Sequence, residues 1–292
     1  MMIGTDAQKD FLRQAFDNAF TLTALASSSL ATMDARAMEV YGWIFGPEES
    51  EADQVVKELV KLSFEGMGGM SDEKSSASDL SRADVHVHCT HKRLELSHQG
   101  IKPRWYDPEL EEHLRFRDIF DCNIAMAYTI VPSAALKPSL IQICPWFLEY
   151  AMNKDPKFQN QIKAGIMAKL AGKLDEWVTG KVYTPIDLVQ LFDKVIVHEM
   201  SHTRNGGRTD DVGGFGGYGW KNVRALSTQR TDVAAGKKGP EKNADSIALF
   251  ASAVQLLGVG VTINEDGTFV RPGDRRRALG IDPLKLKGRL LI

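Results

Sequence analysis

Apolar positions recur at helical spacing through the N-terminal stretch, interrupted by capping and breaker residues. Phe11, Leu12, Phe16, Phe20 and Leu22 predict a helix over 6–31, with Asp6 available to cap its start. A second helix is predicted over Met33 to Phe45, stopped by Gly46-Pro47. A third is predicted over Glu51 to Phe64, on the stripe Val55, Val56, Leu59, Val60 and Leu62. Residues 65–82 turn rich in Gly, Ser and acid and predict a loop. That loop divides a helical N-terminal part, 1–70, from a second part, 83–292, the two packed as one continuous domain.

Beyond it the period changes. Val85 and Val87 alternate with His86 and His88, which predicts a strand. Residues 97–118 are charged and hold Pro103 and Pro108, and predict an excursion outside the core. Ile124 to Val131 and Leu140 to Cys144 predict two further strands. Helical spacing returns over Lys157 to Trp177. It resumes at Thr184-Pro185, a cap followed by a first-turn proline, and predicts one helix running to about Arg204. Asn243 to Leu257 predicts the last helix, and Val261 to Val270 a hairpin turning at Glu265-Asp266-Gly267. The fold class expected from this order is α+β.

Composition narrows the function classes. A net charge of −2 gives no support to a nucleic-acid or membrane-surface role. No apolar run reaches the length of a membrane span, and Met1 to Lys9 lacks the basic-then-apolar pattern of a signal peptide. The three cysteines, Cys89, Cys122 and Cys144, fit no zinc–cysteine spacing; in an oxidising compartment their simplest arrangement is one disulfide and one free thiol.

One short run carries chemistry. In His198-Glu199-Met200-Ser201-His202 the two histidines lie four apart on a predicted helix, so both imidazoles face one side and can share one metal ion. Zinc is the expected ion, a single catalytic one. Glu199 is placed to accept a proton from a water activated there, and to pass it to a leaving amine. A third protein ligand is needed, leaving one position open. Asp210 and Asp211 follow the turn Asn205-Gly206-Gly207, whose glycines let the chain reverse; Glu241 is a further candidate. His86, His88 and His91 with Cys89 could form a second metal site, against the plainer reading as the polar face of an edge strand.

Several segments taken together resemble the aspzincin metallopeptidases, the deuterolysin and peptidyl-lysine metalloendopeptidase group. They are the HEMSH run with Thr203-Arg204-Asn205-Gly206-Gly207, then Thr209-Asp210-Asp211, Tyr218-Gly219-Trp220, and Asn243-Ala244-Asp245-Ser246 with Ala248, Leu249 and Phe250. Ala127-Tyr128-Thr129 and Ile143-Cys144-Pro145 add to the likeness, which spans about 120–255. It implies a zincin-like fold and a secreted zinc metalloendopeptidase acting on peptides or proteins. It implies zinc ligation by His198, His202 and Asp211, with Asp210 and more weakly Asp245 as competitors, and Glu199 as general base. In family terms Asp245 resembles a wall of the substrate pocket; read by itself it is a first-turn carboxylate favoured by the helix dipole. The likeness also implies a Cys122–Cys144 disulfide. Two positions depart from the pattern. Gly214 stands where the family keeps an oxyanion-stabilising tyrosine, so Tyr218 must loop back to take that role or the donor is lost. Ala248 replaces a glutamate of the peptidyl-lysine members, so the preference expected is a softer one, for basic or small residues. Two alternatives stay open: a zincin-fold binding or effector protein without turnover, and a zinc hydrolase acting on non-peptide substrates.

Overall fold

The computed structural model describes residues 2–3, 5–72, 84–97, 104–114, 122, 125–134, 136–153, 184–229, 231–232 and 234–270. The helix expected over 157–177 and the Arg275–Arg277 tail lie outside them.

After a two-residue strand come three helices: α1 (Asp6–Thr32), α2 (Ala35–Phe45) and α3 (Glu51–Gly68). Local chemistry sets their starts. Thr5 and Gln8 form a reciprocal capping box on α1, Ser50 and Asp53 do the same on α3, and Asp34 caps α2 through the Ala37 amide. The cap of α1 is therefore Thr5, one residue before the expected Asp6.

A four-stranded sheet has the order β1 (Met2–Ile3), β2 (Val85–His88), β7 (Ser139–Ile143), β6 (Ala127–Ile130), with β6 antiparallel to β7 and the other pairs parallel. A separate antiparallel sheet joins β3 (Glu95–Ser97), β4 (Arg104–Asp107) and β5 (Glu112–His113). Helices α4 (Pro145–Met152), α5 (Pro185–Leu188), α6 (Leu191–His202), α7 (Trp220–Leu226) and α8 (Ala244–Gly258) follow, and β8 (Thr262–Ile263) pairs with β9 (Phe269–Val270) in the expected hairpin. The architecture is mixed α and β with small sheets.

Helix α8 explains how the two parts join. Its residues from Ala244 to Val254 are all buried and, apart from Asp245, apolar or small on every face, as in a helix surrounded by others. It packs on α6, α1 and α2, while α1 also packs on α3 and α6. Phe250 meets Tyr41 and Phe45 edge-on, so the N-terminal helices and the second part share one core.

Three expectations are corrected. The segment 97–118 is not merely an excursion: β4 and β5 lie within it, and Leu110 and Leu114 pack with Leu94 and Leu140 in a small core of their own. Strand β2 is interior rather than an edge, flanked by β1 and β7. The helix expected from Pro185 to Arg204 is broken. Gln190 takes a left-handed φ of 51° and its amide bonds to Gln255 on α8, so α5 ends before α6 begins.

Cys122 and Cys144 form the disulfide, separated by 22 residues, and Cys89 is a buried free thiol. A closed loop of that size is worth about 3 kcal/mol, so Cys122→Ala with Cys144→Ala lowers the unfolding free energy by that amount in urea titrations. Asp193, in the first turn of α6, is half-buried and takes a hydrogen bond from Asn18 at 3.3 Å. Burial pushes its pKa up to about 6. A raised carboxyl pKa stabilises the fold below the ordinary value, and that stability disappears as pH rises through 6. Asp193→Asn is accordingly more stable than wild type by about 2 kcal/mol at pH 7.5, and the gap closes below about pH 4. Urea unfolding at both pH values measures it.

Candidate metal centre

Helix α6 presents His198 and His202 one turn apart on the same face. The chain then doubles back tightly. Gly206 lies against the Met200 carbonyl, where a Cβ would collide, and Gly207 takes a φ of 102°. The amides of Arg208 and Thr209 donate to the carbonyls of Thr203 and Ser201 at 3.0 and 3.1 Å, which pins the returning strand along the end of α6. Asp210 then bridges in parallel to Asn243 at the start of α8, its amide donating to Lys242 O at 2.7 Å and its carbonyl accepting from Ala244 N at 3.0 Å. Alternation along this extended pair separates the neighbouring carboxylates. Asp210 turns outward to pair with Lys238, and Asp211 turns inward to the histidines.

Three donor atoms meet as a result. His198 Nε2 and His202 Nε2 are 3.2 Å apart, and Asp211 Oδ1 lies 3.1 Å from the first and 3.5 Å from the second. Donors about 2.0–2.1 Å from a tetrahedral zinc ion lie roughly 3.3 Å from one another. The triangle therefore fits a metal ion. Among the described residues no other three His, Cys, Asp or Glu side chains bring ligand atoms together in this way.

Both imidazoles are oriented from behind. His202 Nδ1 lies 2.9 Å from the Thr209 carbonyl, which can only accept, so Nδ1 carries the hydrogen and Nε2 offers its lone pair. His198 Nδ1 faces Asp245 Oδ1 at 3.4 Å, while the other Asp245 oxygen accepts from the Gly219 amide at 2.6 Å. Asp245 thus sits behind His198 and outside the donor triangle. Ala248 is fully buried in the core.

Electrostatics follow from the geometry. Burial opposes the charge on His198, but hydrogen bonds to Asp211 and Asp245 outweigh it and hold its pKa well above the ordinary value. For Asp211 burial again acts against the charged form, and His198 and His202 overcome it, holding the carboxyl far below its usual range. Burial raises the pKa of Glu199 against the pull of both histidines. Its carboxylate accepts from Thr129 Oγ1 of strand β6 at 2.7 Å.

Tyr218 does return to the centre. A short 3-10 turn over Gly214–Gly217 shortens the glycine-rich insertion, and Asn243 ties both ends of it, accepting from Val212 N at 3.2 Å and donating to Gly217 O at 2.9 Å. The Tyr218 ring stacks on His198 with centroids 5.5 Å apart, and its hydroxyl is within hydrogen-bonding reach of Asp211. Burial, then the charges of Asp211 and Glu199, push the phenol's pKa up.

The histidines of β2 have a different partner. His86 and His88 are buried, 8% and 2% exposed, with one carboxylate between them: Glu109 pairs with His86 Nδ1, and its Oε2 lies 2.8 Å from His88 Nε2. The polar-edge reading is therefore corrected, because their face is covered. His91 instead stacks on Tyr128. Thr129, Thr209 and Asn243 lie in segments that carry the family likeness, but no role was expected of them; their contacts now give them one.

The chain matches no family model and no curated protein.

Proposed function

We propose that this protein is a zincin-like, zinc-dependent metalloendopeptidase in which His198, His202 and Asp211 hold the ion. The observation that supports this most is the donor triangle, two imidazole nitrogens and a carboxylate oxygen at 3.1–3.5 Å with both histidines fixed in the metal-binding tautomer or orientation from behind. That donor set suits zinc, and three protein ligands leave room for substrate or water. When bound, zinc supplies a Lewis acid that polarises a carbonyl and brings a water toward ionisation near neutral pH.

The chain's own residues account for the rest. Glu199, buried beside the triangle and outside it, takes the proton of the attacking water and delivers it to the leaving amine. Thr129 aims its carboxylate. Tyr218, stacked on His198, donates its hydroxyl hydrogen to the carbonyl oxygen as charge develops there. Strand β6, at the edge of the four-stranded sheet and packed on α6, offers backbone groups to an extended peptide. The substrate is a peptide or protein, and the disulfide suits a secreted enzyme. No helix among the described residues is long and apolar enough to cross a membrane.

The test is metal content combined with turnover. Purified protein is expected to carry about one zinc per chain and to cleave a peptide library. A chelator abolishes cleavage, and added zinc restores it. Stoichiometric zinc with no cleavage of any peptide sinks the peptidase reading.

A further inference from the structure

A buried group of charges lies behind the triangle, and neither metal ligation nor proton transfer uses it. Asp187, on the short helix α5, is fully buried. Its Oδ2 accepts from the Thr184 amide and, at 2.9 Å, from the Thr184 hydroxyl; its Oδ1 accepts from the Trp220 amide at 2.7 Å. The preceding amide, Gly219, donates to Asp245, which faces His198. Lys194, buried one turn before His198 on α6, donates to the Asp187 carbonyl at 2.6 Å, and its charge acts on both carboxylates. Two successive amides are thus held by two different buried carboxylates, immediately after Tyr218.

The other restraints on this turn agree. The Trp220 indole donates to Glu265 O at 2.9 Å, and the Asn222 amide donates to Tyr218 O at 2.8 Å. Buried carboxylates are costly in a core and persist where each oxygen is satisfied. A solvent-exposed turn would need neither. The break at Gln190 separates α5, which carries Asp187, from α6, which carries His198.

We propose that Asp187 is a positioning residue for the centre: through the Trp220 amide, and alongside the Gly219–Asp245 contact, it sets the turn that stacks Tyr218 on His198, with Lys194 tying its backbone carbonyl to α6. It touches neither metal nor substrate. The functional arm of this inference rests on the peptidase reading above; its structural arm does not.

A double-mutant cycle tests it. Asp187→Asn is expected to lower kcat for peptide hydrolysis by roughly 10- to 100-fold with KM changed less than about threefold, the scale of a support that orients a working group. Tyr218→Phe lowers kcat at least as far. If Asp187 acts through Tyr218, the combined variant is no slower than Tyr218→Phe alone; independent, multiplying losses overturn the proposal. A second measurement needs no turnover. Nitration of Tyr218 by tetranitromethane, followed by mass spectrometry of its peptide, is expected to run at least fivefold faster in Asp187→Asn at unchanged circular dichroism. An unchanged nitration rate overturns the proposal even if the wild type cleaves no peptide, in which case the peptidase reading has failed separately. Should Asp187→Asn not fold, Thr184→Val, which removes one donor aiming the carboxylate, takes both measurements.

Discussion

Glu199→Gln is expected to keep its metal and lose peptide hydrolysis by roughly 10³-fold, the middle of the range for general acid–base catalysis by one side chain. Glutamine fills the same volume and its carbonyl still accepts from Thr129, so the site keeps its shape. What it loses is the lone pair that takes a proton from water. Glu199 is 4% exposed, so a base from bulk solvent reaches its place poorly. The measurement pairs kcat/KM on a fluorogenic peptide with metal content by mass spectrometry. Equal rates in both proteins would remove Glu199 from the mechanism. Loss of metal in the variant would show instead that Glu199 is part of the ligand set.

Asp211→Ala is expected to weaken metal binding by roughly a hundredfold or more, whereas Asp210→Ala leaves it within about threefold. A site affinity of ~12 kcal/mol carried by three protein ligands is about 4 kcal/mol each, which makes a hundredfold loss a lower bound. The contrast between adjacent residues is the informative part. Asp211 Oδ1 lies 3.1 Å from His198 Nε2, and Asp210 pairs with Lys238 at the surface. Chelator competition with a zinc indicator measures both variants side by side. Equal losses would mean that the loop itself, rather than one carboxylate, sets the affinity.

Much of the site was legible because its spacing is local. Two histidines four apart on a helix face one way in any fold, and an apolar approach such as Val195-Ile196-Val197 marks that helix as buried. The caps were less legible: Asp6 was the expected cap of α1, whereas Thr5 with Gln8 forms its capping box, and Ser50 with Asp53 forms that of α3. The last helix announces itself through the run of apolar and small residues from Ser246 to Val254.

Contacts between distant segments were not legible in this way. The broken helix at Gln190 turns on a bond to Gln255, 65 residues away, and helical spacing on both sides hides it. The second sheet is built from strands of two to four residues, too short for alternation to show. His86 and His88 alternate as an edge strand does, yet strand order made β2 interior and brought Glu109 over them.

The sequence by itself determined that two imidazoles share a helix face, that a carboxylate stands next to the first, and that glycines turn the chain back toward them. Tertiary structure alone decided which of Asp210 and Asp211 arrives, because pairing with Asn243 selects which alternate side chain points inward. It also returned Tyr218 to His198 across the glycine-rich insertion, and placed Asp245 behind that histidine. The physical reason is common to all three. Periodicity along a chain encodes direction relative to its own backbone, whereas a metal centre needs atoms from separate segments within a few ångströms, and only the packing of α6 against α8 and β6 supplies that.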